Sequence, residues 1–313
     1  MTDNCALALK IDVDTLKGYR EGLPRLLDML KRRGIRASIF FSMGPDNSGK
    51  AVRRIFRRGF LSKMLRTRAP STYGLKTLLY GTLLPAPMIV ESDPGLLRRA
   101  VDEGHDCGVH AWDHVFWQDR LPSLSREAVR EQFARSMELF ERVSGTAPAC
   151  CAAPGWQTTP DALAVQDELG FAYCSDVRGT GPSLPRVFLP RMGGTTFRTP
   201  QIPSTLPTLD ELWGTDGLDA DTVNDRYLDL LEPGVNVHTI HTEMEGGAMS
   251  GVFEALLDAC LEGEMAFMTL REVLAGAAAT VDGGAAPLPV SEVVMREIPG
   301  RAGTVAVQQA AEG

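Results

Sequence analysis

The sequence predicts an α/β fold, a distorted (β/α) barrel of about seven parallel strands. Short apolar runs alternate with segments of helical periodicity along most of the chain, and several of the runs end in acidic or histidine residues. Alternation of this kind implies right-handed crossovers and a mostly parallel sheet. Functional residues then belong in the loops that follow the strands. With 313 residues, 44% hydrophobic and 23% charged, the chain has material for one large domain and excludes a disordered or fibrous protein.

The elements follow in order. ALALKID is the first strand, and GLPRLLDMLKRRG is a helix with Leu23, Leu26, Leu27 and Leu30 on one face and Gly34 as its C-cap. RASIFF, DCGVH, PACCAA, FAYCSD, VNVHTIH and MAFMTL supply further strands. Between them lie PGLLRRAVDEG, a long periodic segment carrying Val129, Phe133, Met137 and Phe140, PDALAVQDELG, a stretch near Asp221 to Leu231, and GVFEALLDACLEG. REVLAGA lies at the end of a single domain placed at residues 1–275. Residues 276–313, rich in Ala and Gly, are expected to be a loosely structured tail, within which EVVMREI has the pattern to dock as a strand or helix.

One insert, at about residues 47–90, breaks the rhythm. Asn47 to Val90 holds nine basic residues and no acidic one, so its charge of +9 against a chain total of −8 leaves −17 elsewhere. Arg53, Arg54, Arg57 and Arg58 interleave with Phe56 and Phe60, a pattern suited to an interfacial helix on an anionic membrane. A solvated helix on the barrel satisfies the same pattern. The acidic balance argues against a nucleic-acid partner. No stretch reaches the roughly 18 apolar residues of a membrane span. The start of the chain lacks the marks of a secretory signal, so a cytoplasmic location is expected, with the six scattered cysteines as buried thiols.

Four of the five histidines fall into two tight groups, His110 with His114 and His238 with His241. His110 and His114 follow a short strand at a spacing that lets both imidazoles meet one ion. Asp12 and Asp14 end the first strand, where residues two apart share a side. Two like charges there are costly unless a cation or a proton-transfer role separates their tasks. A His, His, Asp set leaves positions open for water and substrate; zinc fits it, and cobalt, manganese or iron also suit the ligands.

These residues, in this order, resemble the polysaccharide deacetylases (NodB homology, carbohydrate esterase family 4). The resemblance implies that Asp14, His110 and His114 bind one divalent metal ion, that Asp12 is the general base, and that His241 is the general acid, with Asp176 in YCSD orienting it. KIDVDT, FFSMGPDN, FLSKMLR, GVHAWDH, SDVRG, TPQIPSTLPTLDE and IHTEMEG narrow the likeness to 4-deoxy-4-formamido-L-arabinose-phosphoundecaprenol deformylases. What that implies is hydrolysis of an N-formyl group on a lipid-linked sugar phosphate, at the cytoplasmic face of the inner membrane, on the route to aminoarabinose-modified lipid A and polymyxin resistance.

The chain departs from the wider family at one point: CCAAPGW, with Ala152 and Ala153, stands where an arginine usually holds the base. Arg178 in SDVRG is the expected substitute. Trp156, Gly155 and Glu243 are the substrate-binding candidates, with a backbone N–H near Gly155 or Trp156 facing the oxyanion. Three rival readings are an N-deacetylase acting on another sugar, a non-catalytic membrane adaptor and a non-haem iron oxygenase. Five filled roles argue against the adaptor, and the extra acid and base argue against the oxygenase.

Overall fold

The computed structural model describes residues 5–51, 76–179, 186–278 and 287–309. The insert residues Arg53, Arg54, Phe56, Arg57, Arg58 and Phe60 lie outside them. Seven strands form one parallel sheet: β1 (Cys5–Val13), β2 (Ser38–Ser42), β3 (Asp106–Ala111), β4 (Cys150–Cys151), β5 (Tyr173–Cys174), β8 (Gly234–His241) and β9 (Ala266–Met268). Their spatial order is β5-β4-β3-β2-β1-β8, with β9 also paired to β1. This is the open, distorted barrel expected from the alternation of apolar runs and helices.

The period of two along β1 explains both its burial and its chemistry. Leu7, Leu9, Ile11 and Val13 join the large core under the helices, whereas Ala8 joins the smaller interior cluster with Phe40, Tyr173 and Val237. Lys10 and Asp12 continue the parity of Ala8 and so project to the barrel interior. The helix Leu23–Arg32 buries Leu23, Leu26, Leu27, Met29 and Leu30, and Gly34 beyond it takes φ +65°, a conformation that glycine adopts without strain. Arg126–Ser144 is started by Ser125, whose hydroxyl accepts the Ala128 N–H, and it buries Val129, Phe133 and Phe140.

Within the described residues 287–309 the tail is ordered, and EVVMREI lies largely in a strand, one of the two forms its pattern allows. Val290–Glu297 (β10) and Thr304–Gln309 (β11) pair antiparallel, and β10 lies parallel to β6 (Leu189–Met192) in a second sheet that also holds β7 (Thr195–Thr196). Val293, Val305, Ala306 and Val307 are buried. The β-branched alternation inside the segment outweighs its overall Ala and Gly content, and the turn between the strands uses Gly300 at φ +79°.

His238 on β8 is fully buried, packs at a tilt against Tyr227 at 4.5 Å between ring centroids, and among the described residues has no hydrogen-bond partner at either nitrogen. Burial, then the nearby His241 and Arg178, pull its pKa down to about 3. A histidine depressed below its unfolded value of about 6.5 binds more protons in the unfolded chain, so stability falls as pH drops from about 6.5 toward 3. The limiting slope from this one group is about 1.4 kcal/mol per pH unit. Urea melts across that window should therefore show a shallower acid loss for His238→Phe than for the natural protein; equal slopes would remove His238 from the acid response.

Candidate active site

The C-terminal ends of β1, β3 and β8 converge at one mouth of the barrel, because Asp12 is in register with His241 and His110 closes β3 two strands away. His114 is placed by a helix cap. The Asp113 carboxylate accepts the Phe116 N–H at 2.9 Å, so the helix His114–Arg120 begins on His114 itself, and its other oxygen takes Asn47 Nδ2 at 2.6 Å.

Asp14 stands between the two imidazoles. His110 Nε2 is 3.3 Å from its Oδ1 and His114 Nε2 is 3.3 Å from its Oδ2. One ligand atom from each of Asp14, His110 and His114 lies within 4.8 Å of the others, so the set fits a small divalent cation. Among the described residues Asp14 Oδ1 is buried and, although His110 Nε2 is 3.3 Å away, accepts no well-aligned hydrogen bond, so a cation would satisfy it. The Asp14 and His114 side chains each keep 17% exposure while His110 keeps 1%, so the centre opens to solvent on one side. Burial opposes charge on Asp14, yet His114 and His110 hold its carboxyl well below the usual range. Burial likewise disfavours a charged His110, and Asp12 and Asp14 overcome it to raise the pKa.

Asp12 lies beside this set. Its Oδ2 is 4.0 Å from His110 Nε2 and 3.4 Å from the Lys10 ammonium, and Oδ1 has no partner. Lys10 is the residue that sequence reasoning missed. It is completely buried, donates to the Ser175 carbonyl at 3.1 Å, and stands on β1 two residues before Asp12. Arg178, the expected partner of Asp12, is committed elsewhere. Its Nη1 donates to both Glu211 oxygens at 2.7 and 3.0 Å, and its Nη2 to the Leu206 carbonyl. The parity that placed Asp12 with Asp14 also applied to Lys10, so the signal was present in KIDVDT.

Asp176 also departs from expectation. Among the described residues its carboxylate accepts from Gln166 at 2.6 Å and Gln201 at 3.3 Å, not from His241. Burial pushes its pKa up against Gln166 and Lys10. The carboxylate at His241 is Glu245, whose Oε2 accepts the His241 backbone N–H at 2.9 Å. Burial raises Glu245 to about 8.

Glu243 braces the loop after Asp14. Its Oε1 accepts the Thr15 N–H at 2.8 Å and the Thr15 hydroxyl at 2.6 Å, while Oε2 is buried and unpartnered. Burial and then Asp14 push its pKa up to about 8. It borders a cavity of about 230 Å³ shared with Lys17, Gly18 and Arg25. Trp156 is 2% exposed with its Nε1 given to Ser204 Oγ at 3.0 Å, so the ring is a buried support and not an open wall of the site. Its backbone N–H donates to the Ala153 carbonyl, which leaves it off the oxyanion. Gly155 takes φ +59°, and a Cβ there would meet Gln118 Nε2 at 2.4 Å.

The profile of the polysaccharide deacetylase family matches residues 7–174. The probable 4-deoxy-4-formamido-L-arabinose-phosphoundecaprenol deformylase ArnD of Shewanella sediminis is 38% identical over 303 residues, covering 96% of this chain and 94% of the relative. Its namesake from Wigglesworthia glossinidia brevipalpis is 29% identical over 299 residues, covering 93% and 98%. A Mycobacterium smegmatis structure assigned as a polysaccharide deacetylase superposes with a TM-score of 0.59 at 13% identity over 91% of this chain and 95% of that one, a likeness of fold. With a family match over more than half its length and a relative matched end to end, the chain belongs to the polysaccharide deacetylase family and groups within it with these deformylases.

Proposed function

We propose that this protein removes the N-formyl group from 4-deoxy-4-formamido-L-arabinose carried on undecaprenyl phosphate, leaving the free amine for lipid A modification. The observation that carries the reading is the near full-length match to the Shewanella sediminis protein of that name, together with Asp12, Asp14, His110, His114 and His241 gathered at one mouth of the barrel. Asp14, His110 and His114 are the residues to hold one divalent ion. Bound there, such an ion supplies Lewis acidity to the formyl oxygen and lowers the pKa of water. Zinc suits the ligands, and cobalt, manganese and iron remain compatible.

The chain's own residues do the rest. Asp12 takes a proton from the attacking water as the new C–O bond forms, and Lys10, its ion-pair partner at 3.4 Å, holds that carboxylate in place. His241, across from Asp12 on β8, gives a proton to the sugar nitrogen as the C–N bond breaks, so that formate and amine depart. Glu245 fixes the backbone of His241, and Glu243 holds the loop carrying Asp14. Purified protein offered the formamido-sugar lipid and its acetamido analogue should release free amine from the first much faster. Preference for the acetyl compound would make it an N-deacetylase of the same mechanism.

The substrate's lipid puts the reaction at a membrane surface, which we assign to the cytoplasmic face of the inner membrane. Among the described residues no helix is long and apolar enough to cross a membrane. The nine cations of the insert supply attraction instead, at about 1 kcal/mol per Lys or Arg near an anionic surface, and Phe56 and Phe60 supply apolar contact. Such attraction is screened within about 8 Å at physiological salt. Sedimentation with anionic vesicles should weaken as salt rises, and should weaken further when Arg53, Arg54, Arg57 and Arg58 are changed to Ser. Equal binding by both proteins would assign the insert no membrane role.

A further inference from the structure

The C-terminal hairpin reaches the interior of the site. Arg301, in the turn between β10 and β11, places its guanidinium carbon 4.6 Å from the centre of the Trp156 ring, with Arg178 at 4.7 Å and Lys10 Nζ at 5.2 Å. Three cations around one indole repel one another unless counter-charges separate them. Glu211 serves the two arginines, accepting from Arg178 at 2.7 Å and from Arg301 at 3.3 Å, and Asp12 serves Lys10. Removing any one cation unbalances the set.

The hairpin is fastened to this cluster by its backbone as well. Gln157 Nε2 donates to the Thr304 carbonyl at 2.6 Å, the Arg178 N–H donates to the Ala306 carbonyl at 2.9 Å, and the Gln308 N–H returns to the Arg178 carbonyl at 2.9 Å. Val305 and Val307 pack on Trp156. Gly300 approaches Glu211 so closely that a Cβ would lie 2.8 Å from its carbonyl oxygen. Trp156 itself sits at φ +52°, a costly conformation for a bulky residue that persists only where its surroundings over-determine it.

We propose that the hairpin is a working part of the active site: Arg301 and Trp156 are positioning residues that fix the Lys10 ammonium and, through it, the carboxylate of Asp12. This rests on the hydrolytic role given to Asp12 above. Displacement of a catalytic group by about 1 Å can cost about 100-fold in rate, so a partial loosening is expected to cost about tenfold.

The test compares full-length natural protein with Arg301→Met and Arg301→Lys. Three quantities are read: kcat and KM on the formamido-sugar lipid, bound metal, and Trp156 emission taken as the difference from each protein's Trp156→Phe counterpart. Arg301→Met should lower kcat about tenfold with KM and metal content within twofold, and should shift the Trp156 emission to the red. Arg301→Lys, which restores the charge without the plane, should recover part of kcat. An unchanged kcat, or a loss of kcat that follows loss of metal, would overturn the proposal. Should the natural protein release no formate, the substrate assignment fails, and the same comparison is made on hydrolysis of 4-nitrophenyl acetate. There a tenfold loss in Arg301→Met supports the positioning role and equal rates refute it. If Arg301→Met does not fold, Val305→Ala loosens the same contact and is judged by the same readings.

Discussion

Asp12→Asn is expected to keep its divalent ion and lose turnover by roughly 10²- to 10⁴-fold, the range for a removed general base. The asymmetry follows from position. Asp14 is bracketed by both imidazoles at 3.3 Å, whereas Asp12 approaches only His110, at 4.0 Å, and spends its nearer contact on Lys10. Asparagine preserves shape and removes the proton acceptor, and it leaves Lys10 buried without its counter-charge. Metal analysis and turnover measured on the same preparation check the result. Loss of metal as complete as in Asp14→Ala would reverse the roles of the two carboxylates.

Asp14→Ala and His110→Ala are expected to lose the ion and, with it, all measurable activity. Each removes one of three ligands, and His110→Ala also leaves a cavity under the mouth of the barrel, where the imidazole is 1% exposed. A ligand present at 100 times its dissociation constant stabilises the native state by about 2.7 kcal/mol. Zinc should therefore raise the Tm of the natural protein and of Asp12→Asn, and leave that of Asp14→Ala and His110→Ala unmoved. A zinc-dependent Tm in Asp14→Ala would place the ion elsewhere.

The barrel and the gathering of Asp14 with His110 and His114 were readable because their signals are local. Strand parity put Asp12 and Asp14 together, four residues separated His110 from His114, and apolar runs marked the seven strands of the barrel. Pairing across the barrel was not readable in the same way. Arg178 and Asp176 follow the β5 strand, and which carboxylate or amide each meets depends on where Glu211, Gln166 and Gln201 arrive from distant segments. Lys10 obeys the same alternation as Asp12, so its place in the barrel interior was legible in KIDVDT, although buried lysines are rare. In the tail, EVVMREI carried a legible strand or helix pattern, while composition hid the pairing of Thr304–Gln309 with it. Val293, Val305 and Val307 contribute three side chains to the core of the hairpin, and an average over Ala and Gly hides them.

The most direct measurement of the central claim is formate release from the formamido-sugar lipid phosphate by the natural protein, before and after metal removal by a chelator. Formate and free amine should appear in equal amounts, the rate should collapse on chelation, and added zinc should restore it. Formate release that survives chelation unchanged, or no formate from a metal-loaded protein, would contradict the account.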